Sequence, residues 1–428
     1  MQFHSTTQPL YIAIDVGKNI HCYGAYVGAD VTPLIAPQEV RTHQPGYERF
    51  RKWLTGLIRS QRYAPIIVGL EPTGVYHEPW AYALHRDFCD SVKLQIVTPF
   101  RTKQKRKQLN NRAERKTDEI DVVALAHCLR DDSGRALYLP SLDWHSLDLW
   151  CRHHNVLKHD LRRLGNRIRS QLDRLWPGAL VDVATFKRAH PDLEPPEPLV
   201  CTHPLQRQLV HAVIHTDPNP YTWRRLSVSE IQTTLRRTGV RCGPQTAQKV
   251  QRIAQNALLL PFATTQLLAE HLSADFRRYQ QLCTELADLR ERAETLLRAT
   301  PGAVVATVPG ITDFLAAQYV GLVADVSRFA HADQVWALVG FDTCQDDSGD
   351  RRRRGKITKR GLPYGREVLF RMGFSASLAC PAIGRAKQRA QQRGKSSLEA
   401  TIHAAHKTNR ICFHLYKHGI PFNPDLSR

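Results

Sequence analysis

Residues 11–130 alternate short apolar runs with amphipathic stretches. YIAIDVG (11–17), IHCYGAYVG (20–28) and TPLIAPQEV (32–40) are β-prone runs separated by Gly, Asp and Asn, and they predict three strands. A helix is expected from about Tyr47 to Arg59. Ala64–Leu70 is continuously apolar, as a strand buried on both faces should be. Helix 78–86, strand 92–97 and helix 114–130 complete the region. After residue 140 the period lengthens. Leu147, Trp150, Leu157, Leu161, Leu164, Ile168, Gln171 or Leu172, and Leu175 recur at steps of three, four or seven, with His154 in the one slot where an apolar residue is missing. This is a long helix of coiled-coil type, stopped by Pro177-Gly178. A second spans about 266–299, through Leu272, Phe276, Tyr279, Cys283, Leu286, Leu289, Ala293 and Leu296. The two can pair as an antiparallel hairpin or across a dimer.

Three strands, a helix, a strand, a helix, a strand and a helix is the order of a ribonuclease H-like α/β domain. The fold class expected is therefore α/β plus α. It comprises a ribonuclease H/RuvC-like α/β domain at 1–140, a helical coiled-coil region at 141–300, and a mainly helical domain at 301–428. The polar insert at about 178–263, with its Pro-rich stretch near Pro191–Pro196, shows no readable pattern. VPGITDFLAAQ (308–318) has a helix–turn–helix form with Pro309-Gly310 at the turn. It is similar to a helix-hairpin-helix motif, whose amides meet a phosphate; a plain helix connection fits the string equally well.

Charge narrows the partners. Lys and Arg number 60 against 40 Asp and Glu, a formal net charge of +20 over 428 residues. Such an excess repels itself without a polyanion, so nucleic acid leads and an anionic membrane surface trails. The ten cysteines form no C-x-x-C pair and no regular framework, which argues for reduced thiols in a cytosolic protein and against a zinc module. No signal-peptide stretch or membrane-length apolar run is present in the sequence, so a soluble intracellular protein is expected.

Against this basic background, four acidic residues stand out. Asp15 and Glu71 each end an apolar run, and Asp118 and Asp121 sit three apart in KTDEIDVVALAH, on one face of the expected helix. Four convergent carboxylates supply the hard oxygen ligands that Mg²⁺ takes, with Mn²⁺ as an alternative. Two such ions about 3.5–4 Å apart would serve chemistry at phosphorus. Taken singly, each acid is more ordinarily a turn former or a helix cap. IDVGK also resembles the first phosphate loop of actin-like ATPases and sugar kinases, but the second Asp-Gly loop and adenosine loop of that fold are not found.

Two basic segments flank the candidate chemistry. RTKQKRKQLNNRAERK (101–116) runs into the Asp118 helix, where Arg101, Lys103, Lys105, Arg106, Lys107 and Lys116 would place charge beside substrate phosphates; the bland reading is a mobile surface loop. GFDTCQDDSGDRRRRGKITKRG (340–361) offers Arg351, Arg352, Arg353, Arg354, Lys356, Lys359 and Arg360 for phosphates. Within it Ser348 lies between Asp347 and Gly349, a flexible, exposed setting from which an activated hydroxyl can attack phosphorus. The ordinary reading of Ser before Gly is a turn.

YIAIDVGK, LEPTGVYHEP and KTDEIDVVALAH together resemble the catalytic domain of the DEDD transposases of bacterial insertion sequences. VPGIT…F…GFD…DSGD…GKITKRG…R resembles that family's C-terminal transposase domain, and RGKSSLEATIHAAHKTNRICFHLYKHGIPFNPD its closing helices. The resemblance covers nearly the whole chain and is weakest at 178–263. It implies a RuvC-like domain in which Asp15, Glu71, Asp118 and Asp121 bind Mg²⁺. It implies that Ser348 forms a 5′-phosphoserine bond with DNA. It implies guidance by a structured RNA from the element, pairing with donor and target DNA, and strand exchange in a dimer assembling to a tetramer. The long helices would mediate dimerisation in the bacterial cytoplasm, at the nucleoid when DNA is bound. Many relatives carry two adjacent hydroxyl residues before the Gly of the serine loop, whereas here Asp347 precedes Ser348. Asp346 and Asp347 would help deprotonate the nucleophile or balance Arg351–Arg354.

The carboxylates and the serine lie far apart in sequence, so the site must be composite, assembled when the C-terminal domain docks on a RuvC-like domain of the same or another subunit. Two rivals remain at this point: a junction-resolving nuclease that uses water, and a catalytically silent nucleic-acid-binding scaffold.

Overall fold

The structure, a computed structural model, describes residues 7–109, 117–200, 203–348 and 351–424, with the backbone alone at 344–348 and 351–356. The chain divides into two compact units, Met1–Leu139 and Pro140–Arg428. In the first, β1 (Gln8–Asp15), β2 (Ile20–Val27) and β3 (Thr32–Arg41) are followed by α1 (Gln44–Arg59), β4 (Tyr63–Glu71), α2 (Glu78–Phe88), β5 (Lys93–Ile96), α3 (Pro99–Leu109), α4 (Asp118–Arg130) and the short β6 (Arg135–Ala136). The strands form one sheet in the order β3-β2-β1-β4-β5-β6. The β1–β2 and β2–β3 pairs are antiparallel, and β1–β4 and β4–β5 are parallel. This is the ribonuclease H-like arrangement that the element order predicts.

The alternation along β1 sets the two faces of the sheet. Leu10, Ile12 and Ile14 pack with Phe50 and Leu54 of α1 and Trp80 and Leu84 of α2. Tyr11 and Ala13 point the other way and pack under Val122, Leu125 and Leu129 of α4. Helix α4 therefore lies flat on the face opposite α1 and α2. Gly24 and Gly69 permit this close approach: a Cβ on Gly69 would stand 2.3 Å from Leu129, and one on Gly24 would stand 3.1 Å from Val122.

The second unit begins with α5 (Leu142–Leu175), continues through α6 (Val183–Ala189), α7 (Gln208–Thr216), α8 (Pro220–Trp223), α9 (Val228–Arg237) and α10 (Pro244–Asn256), and returns along α11 (Phe262–Arg298). It closes with α12 (Asp313–Val323), α13 (Ala332–Leu338), the ribbon β7 (Thr343–Ser348) and β8 (Arg351–Ile357), α14 (Pro363–Ala379), α15 (Pro381–Gln392) and α16 (Ser397–His418). Arg167 forks onto Asp275 with two bonds of 2.6 Å, and Gln171 donates to the same carboxylate at 3.0 Å. Trp150, early in α5, lines a cleft with Asp288, Arg292 and Leu296, late in α11. The two long helices thus run antiparallel within one chain. Of the two stripe positions left open by the sequence, Leu172 is buried and Gln171 serves Asp275.

The unit has two apolar cores. One gathers α12–α16 around the start of α5 and the end of α11, and the other joins α7–α10 to the opposite ends of those helices. The helix–turn–helix form at 308–318 is present as a 3₁₀ turn at Pro301–Thr307 leading into α12, with Gly310 in the left-handed region at φ +88°. Every residue from Phe314 to Val323 is buried, so α12 is a core helix.

His154, the polar residue in the apolar stripe of α5, packs against Phe314 with the rings tilted by 56° and their centroids 4.4 Å apart. Burial, reinforced by Lys158, Arg371 and Arg290, lowers its pKa to about 4. The folded state therefore keeps His154 neutral while the unfolded chain protonates it below about 6.5. Stability on this account is complete above that value and falls as the pH drops toward 4. His154→Leu should make the protein about 1 kcal/mol less sensitive to a shift from pH 7.5 to pH 5, after allowance for partial solvent exposure. Urea unfolding at the two pH values measures this.

Candidate active site

Asp15 ends β1 and Glu71 ends β4, and the two are partners in the parallel register. By the alternation of the strands, Asp15 follows Tyr11 and Ala13 onto the α4 face, and Glu71 follows Ile67 and Gly69 onto it. Helix α4 starts at that end of the sheet, with Thr117 as its N-cap: the hydroxyl accepts from the Ile120 amide at 3.3 Å. Asp118 and Asp121 occupy its first turn, Asp118 exposed and Asp121 buried. Cys22, opposite Asp15 on β2, reports how close the charges are. Its thiol is pushed up to about 12, first by burial and then by the charges of Asp118 and Asp15. The fold therefore gathers the four acids at one edge of one sheet face, with two strand ends and a helix start as their supports.

Helix α3 lies over α4, in the segment for which the sequence offered a mobile loop as the bland reading. It is held there by ion pairs. Lys105 reaches Asp131 at 2.5 Å, and Arg106 pairs with Asp121. Arg101, Lys103 and Lys107 are exposed, while Lys116 lies outside the described residues. Of the basic residues singled out here, two are thus engaged within the protein and three face outward.

The donor chemistry of the acids fits a hard divalent cation, being all carboxylate oxygen. Their present arrangement does not yet do so. Among the described residues no three His, Cys, Asp or Glu side chains are grouped to hold a metal ion. Asp121 has the Arg106 guanidinium where a cation would be. Asp15, Glu71, Asp118 and Asp121 would hold an ion together only after that guanidinium moved.

Ser348 belongs to the second unit. It ends β7, in register with Arg351 at the start of β8, so the segment expected to be a flexible loop is an antiparallel ribbon. The side chains of Ser348, Arg351, Arg352, Arg353, Arg354 and Lys356 lie outside the described residues; Lys359 and Arg360 are exposed. The foot of the ribbon is fixed. Thr358 donates through its amide to the Asp342 carbonyl at 2.8 Å and through its hydroxyl to the Asp342 carboxylate at 2.6 Å. Gly340, at φ +75°, meets Gly361 back to back: a Cβ on Gly361 would stand 2.2 Å from the Val339 carbonyl carbon. Arg366, on the first turn of α14, donates to the carbonyls of Val339 at 2.8 Å, Gly361 at 3.2 Å and Lys359 at 3.5 Å. One guanidinium thus ties both chains entering the ribbon to α14.

Arg366 was not singled out in the sequence, where it is one arginine among many. Gly340, which opens GFD, and Gly361, which closes KRG, were the readable signal. Arg366→Ala should free the foot of the ribbon, speeding amide exchange in β7 and β8 at least tenfold while α16 stays protected. Hydrogen exchange with mass spectrometry reads this, and unchanged ribbon protection would remove Arg366 from this role.

Comparison with known proteins places these features in a family. A transposase model, that of the IS110-type DEDD domain, matches residues 12–177, which include all four acids. The model of the IS116/IS110/IS902 transposase family matches residues 302–391, which include Ser348, Gly361 and Arg366. Together they account for more than half of the chain. No curated protein matches. Among solved structures, T. thermophilus RuvC in complex with Holliday junction substrate is similar over 30% of this chain and 99% of its own, at 16% identity and a TM-score of 0.22, too low to bear on function. Two family models in the order of the two units, one spanning the acids and one spanning the serine ribbon, carry the assignment: the chain belongs to the IS110 family of DEDD transposases and is a DNA transposase.

Proposed function

We propose that the protein cuts and rejoins DNA through a carboxylate-bound divalent ion and the hydroxyl of Ser348, directed by a structured RNA of its own element. The observation that carries this reading is the placement of Asp15 and Glu71 at neighbouring strand ends and of Asp118 and Asp121 in the first turn of α4, beside a basic helix. Mg²⁺ or Mn²⁺ bound there would offset the negative charge that builds on the scissile phosphate. Arg101, Lys103 and Lys107, exposed on α3, hold the backbone of the incoming strand. A phosphate arriving over α3 competes with Asp121 for Arg106 and so prepares the acids for the ion.

The ribbon foot orients the strand that ends in Ser348. The Ser348 oxygen forms a bond to phosphorus as the bond from phosphorus to the 3′ oxygen breaks. The serine proton passes to a neighbouring base, and the departing 3′ oxygen takes up a proton. The product is a 5′-phosphoserine and a free 3′ hydroxyl. Because one phosphoester replaces another, a 3′ hydroxyl from a second strand can reverse the step without ATP. The carboxylates and Ser348 sit in separate units, so the working site is composite, formed within one chain or between chains of a dimer or tetramer in which the long helices mediate dimerisation.

The test is direct. Incubation with donor DNA and Mg²⁺, followed by denaturing electrophoresis, should show protein covalently joined to a 5′ end. Sequencing of copurifying RNA should return one discrete structured species. Cleavage without any adduct would replace the serine reading with water attack, and recovery of bulk RNA alone would remove the guide.

A further inference from the structure

Neither family model reaches residues 178–301, yet that stretch contributes most of a separate buried core. Its second half is built in a particular way. Helix α9 opens with a full capping box, the Ser227 hydroxyl accepting from the Glu230 amide while the Glu230 carboxylate accepts from the Ser227 amide. Ile231 and Leu235, one turn apart, are fully buried. The chain then turns at Gly239, at φ +82°, with nothing within 4 Å of where a Cβ would lie, so glycine serves the left-handed backbone there. Val240 and Cys242 fold back onto the core, and α10 starts with Pro244 at its first position. Ala247, Val250, Ile253 and Ala254 are its buried face.

Side chains lock the crossing of the two helices. Arg236 donates to the Cys242 carbonyl at 3.1 Å, Gln232 to the same carbonyl at 3.5 Å, and Gln251 to the Leu226 carbonyl at 2.7 Å. The outward face of α10 is then left to Gln245, Gln248, Arg252 and Gln255, all exposed and spaced three or four apart. From Tyr221 to Asn256 there are seven Lys and Arg residues and a single acid, Glu230.

From this we propose that α9 and α10 form a helix-turn-helix module that reads duplex DNA, with α10 entering the major groove. Two helices around a turn containing glycine, the second presenting a polar face that starts at its N-terminus and runs along its length, match the docking form of this motif. Glutamine matches the N6/N7 edge of adenine and arginine the O6/N7 edge of guanine. Arg237 and Arg241, exposed on either side of the turn, face the flanking phosphates. A helical cap closing the end of the α5–α11 pair accounts for the buried face. It gives no reason for an amide-rich outer face in a segment with one acid. Arg252 now forks onto Glu197, at 2.9 and 3.2 Å, and exchanges that partner for a base edge on binding. The proposal is independent of the serine and metal readings.

The full-length protein should be put through rounds of selection on a random duplex DNA library at physiological salt. It should enrich a short defined motif, and Ser348→Ala should enrich the same one. The triple variant Gln245→Ala, Gln248→Ala, Arg252→Ala should lose the motif while keeping its circular dichroism and melting temperature, since alanine on an exposed helix face is well tolerated. Each single variant should weaken binding to the motif by roughly 5- to 150-fold, the range for one bidentate base contact. Arg237→Ala with Arg241→Ala should instead lower the salt dependence by about two phosphate contacts without changing the motif. No enriched motif, a motif unchanged in the triple variant, or selection of RNA only would each overturn the proposal.

Discussion

Ser348→Ala should abolish the covalent protein–DNA species and lower strand exchange by roughly 10⁴-fold or more, the scale expected for loss of a covalent nucleophile. DNA affinity should change little, because the basic residues of both units are untouched. The reasoning is one of chemistry and not of contacts. An energy-conserving exchange needs the phosphoester to be stored on the protein between cleavage and rejoining, and alanine offers no oxygen to store it on. Asp15→Asn should also block reaction, but for a different reason, by weakening the oxygen cage at the strand ends. The two variants separate in one assay. With intact donor DNA, a Ser348→Ala protein still lacks the adduct at any concentration of Mn²⁺. Asp15→Asn should recover part of it at high Mn²⁺, where mass action offsets weaker binding. If Ser348→Ala cleaves cleanly with no adduct, water is the nucleophile and the carboxylates alone carry the chemistry.

The N-terminal half of this site was legible because apolar alternation fixed it. The runs ending at Asp15 and Glu71 read as strands whose ends can face one point, and the parallel pairing with period two puts both acids on the face of Ala13 and Gly69. Helix α3 was not legible for the converse reason. PFRTKQKRKQL has no apolar stripe, Thr102 is its one buried residue, and its docking rests on ion pairs whose partners, Asp121 and Asp131, lie beyond the next turn of the chain. Pattern reading cannot see a helix that is polar all round. The serine ribbon escaped in the same way, since TCQDDS and RRRRGKI have no alternation of apolar and polar residues. Its register sets Asp346 opposite Arg353 and Asp347 opposite Arg352, and this complementarity of sign was the available signal. In the insert the capping box at Ser227–Glu230, the Thr238-Gly239 turn and Pro244 at a helix start were all readable punctuation, obscured by the Pro-rich stretch before them.

Arg106→Gln supplies the most discriminating result for the carboxylates, because it separates their metal chemistry from activity. Arg106 and Asp121 leave only 14% and 8% of their side chains exposed, so they form a buried ion pair. Removing the guanidinium leaves the Asp121 carboxylate without the cation that faces it, at a cost of about 3 kcal/mol. In EDTA, the melting temperature of the variant should therefore fall by about 10 °C. A divalent cation can take over the vacated charge. Mn²⁺ should then raise the melting temperature of Arg106→Gln well above its value in EDTA, with half-saturation at least tenfold below that of the parent, whose own guanidinium competes for Asp121. Adding Asp121→Asn should erase this response. Should Mn²⁺ leave the melting temperature of Arg106→Gln unmoved, the four acids are not an ion site, and the buried pair is simply what holds α3 to α4. The expected outcome instead makes Arg106 a place-holder: it keeps the acids folded without metal, and it yields to the ion when phosphate draws it away.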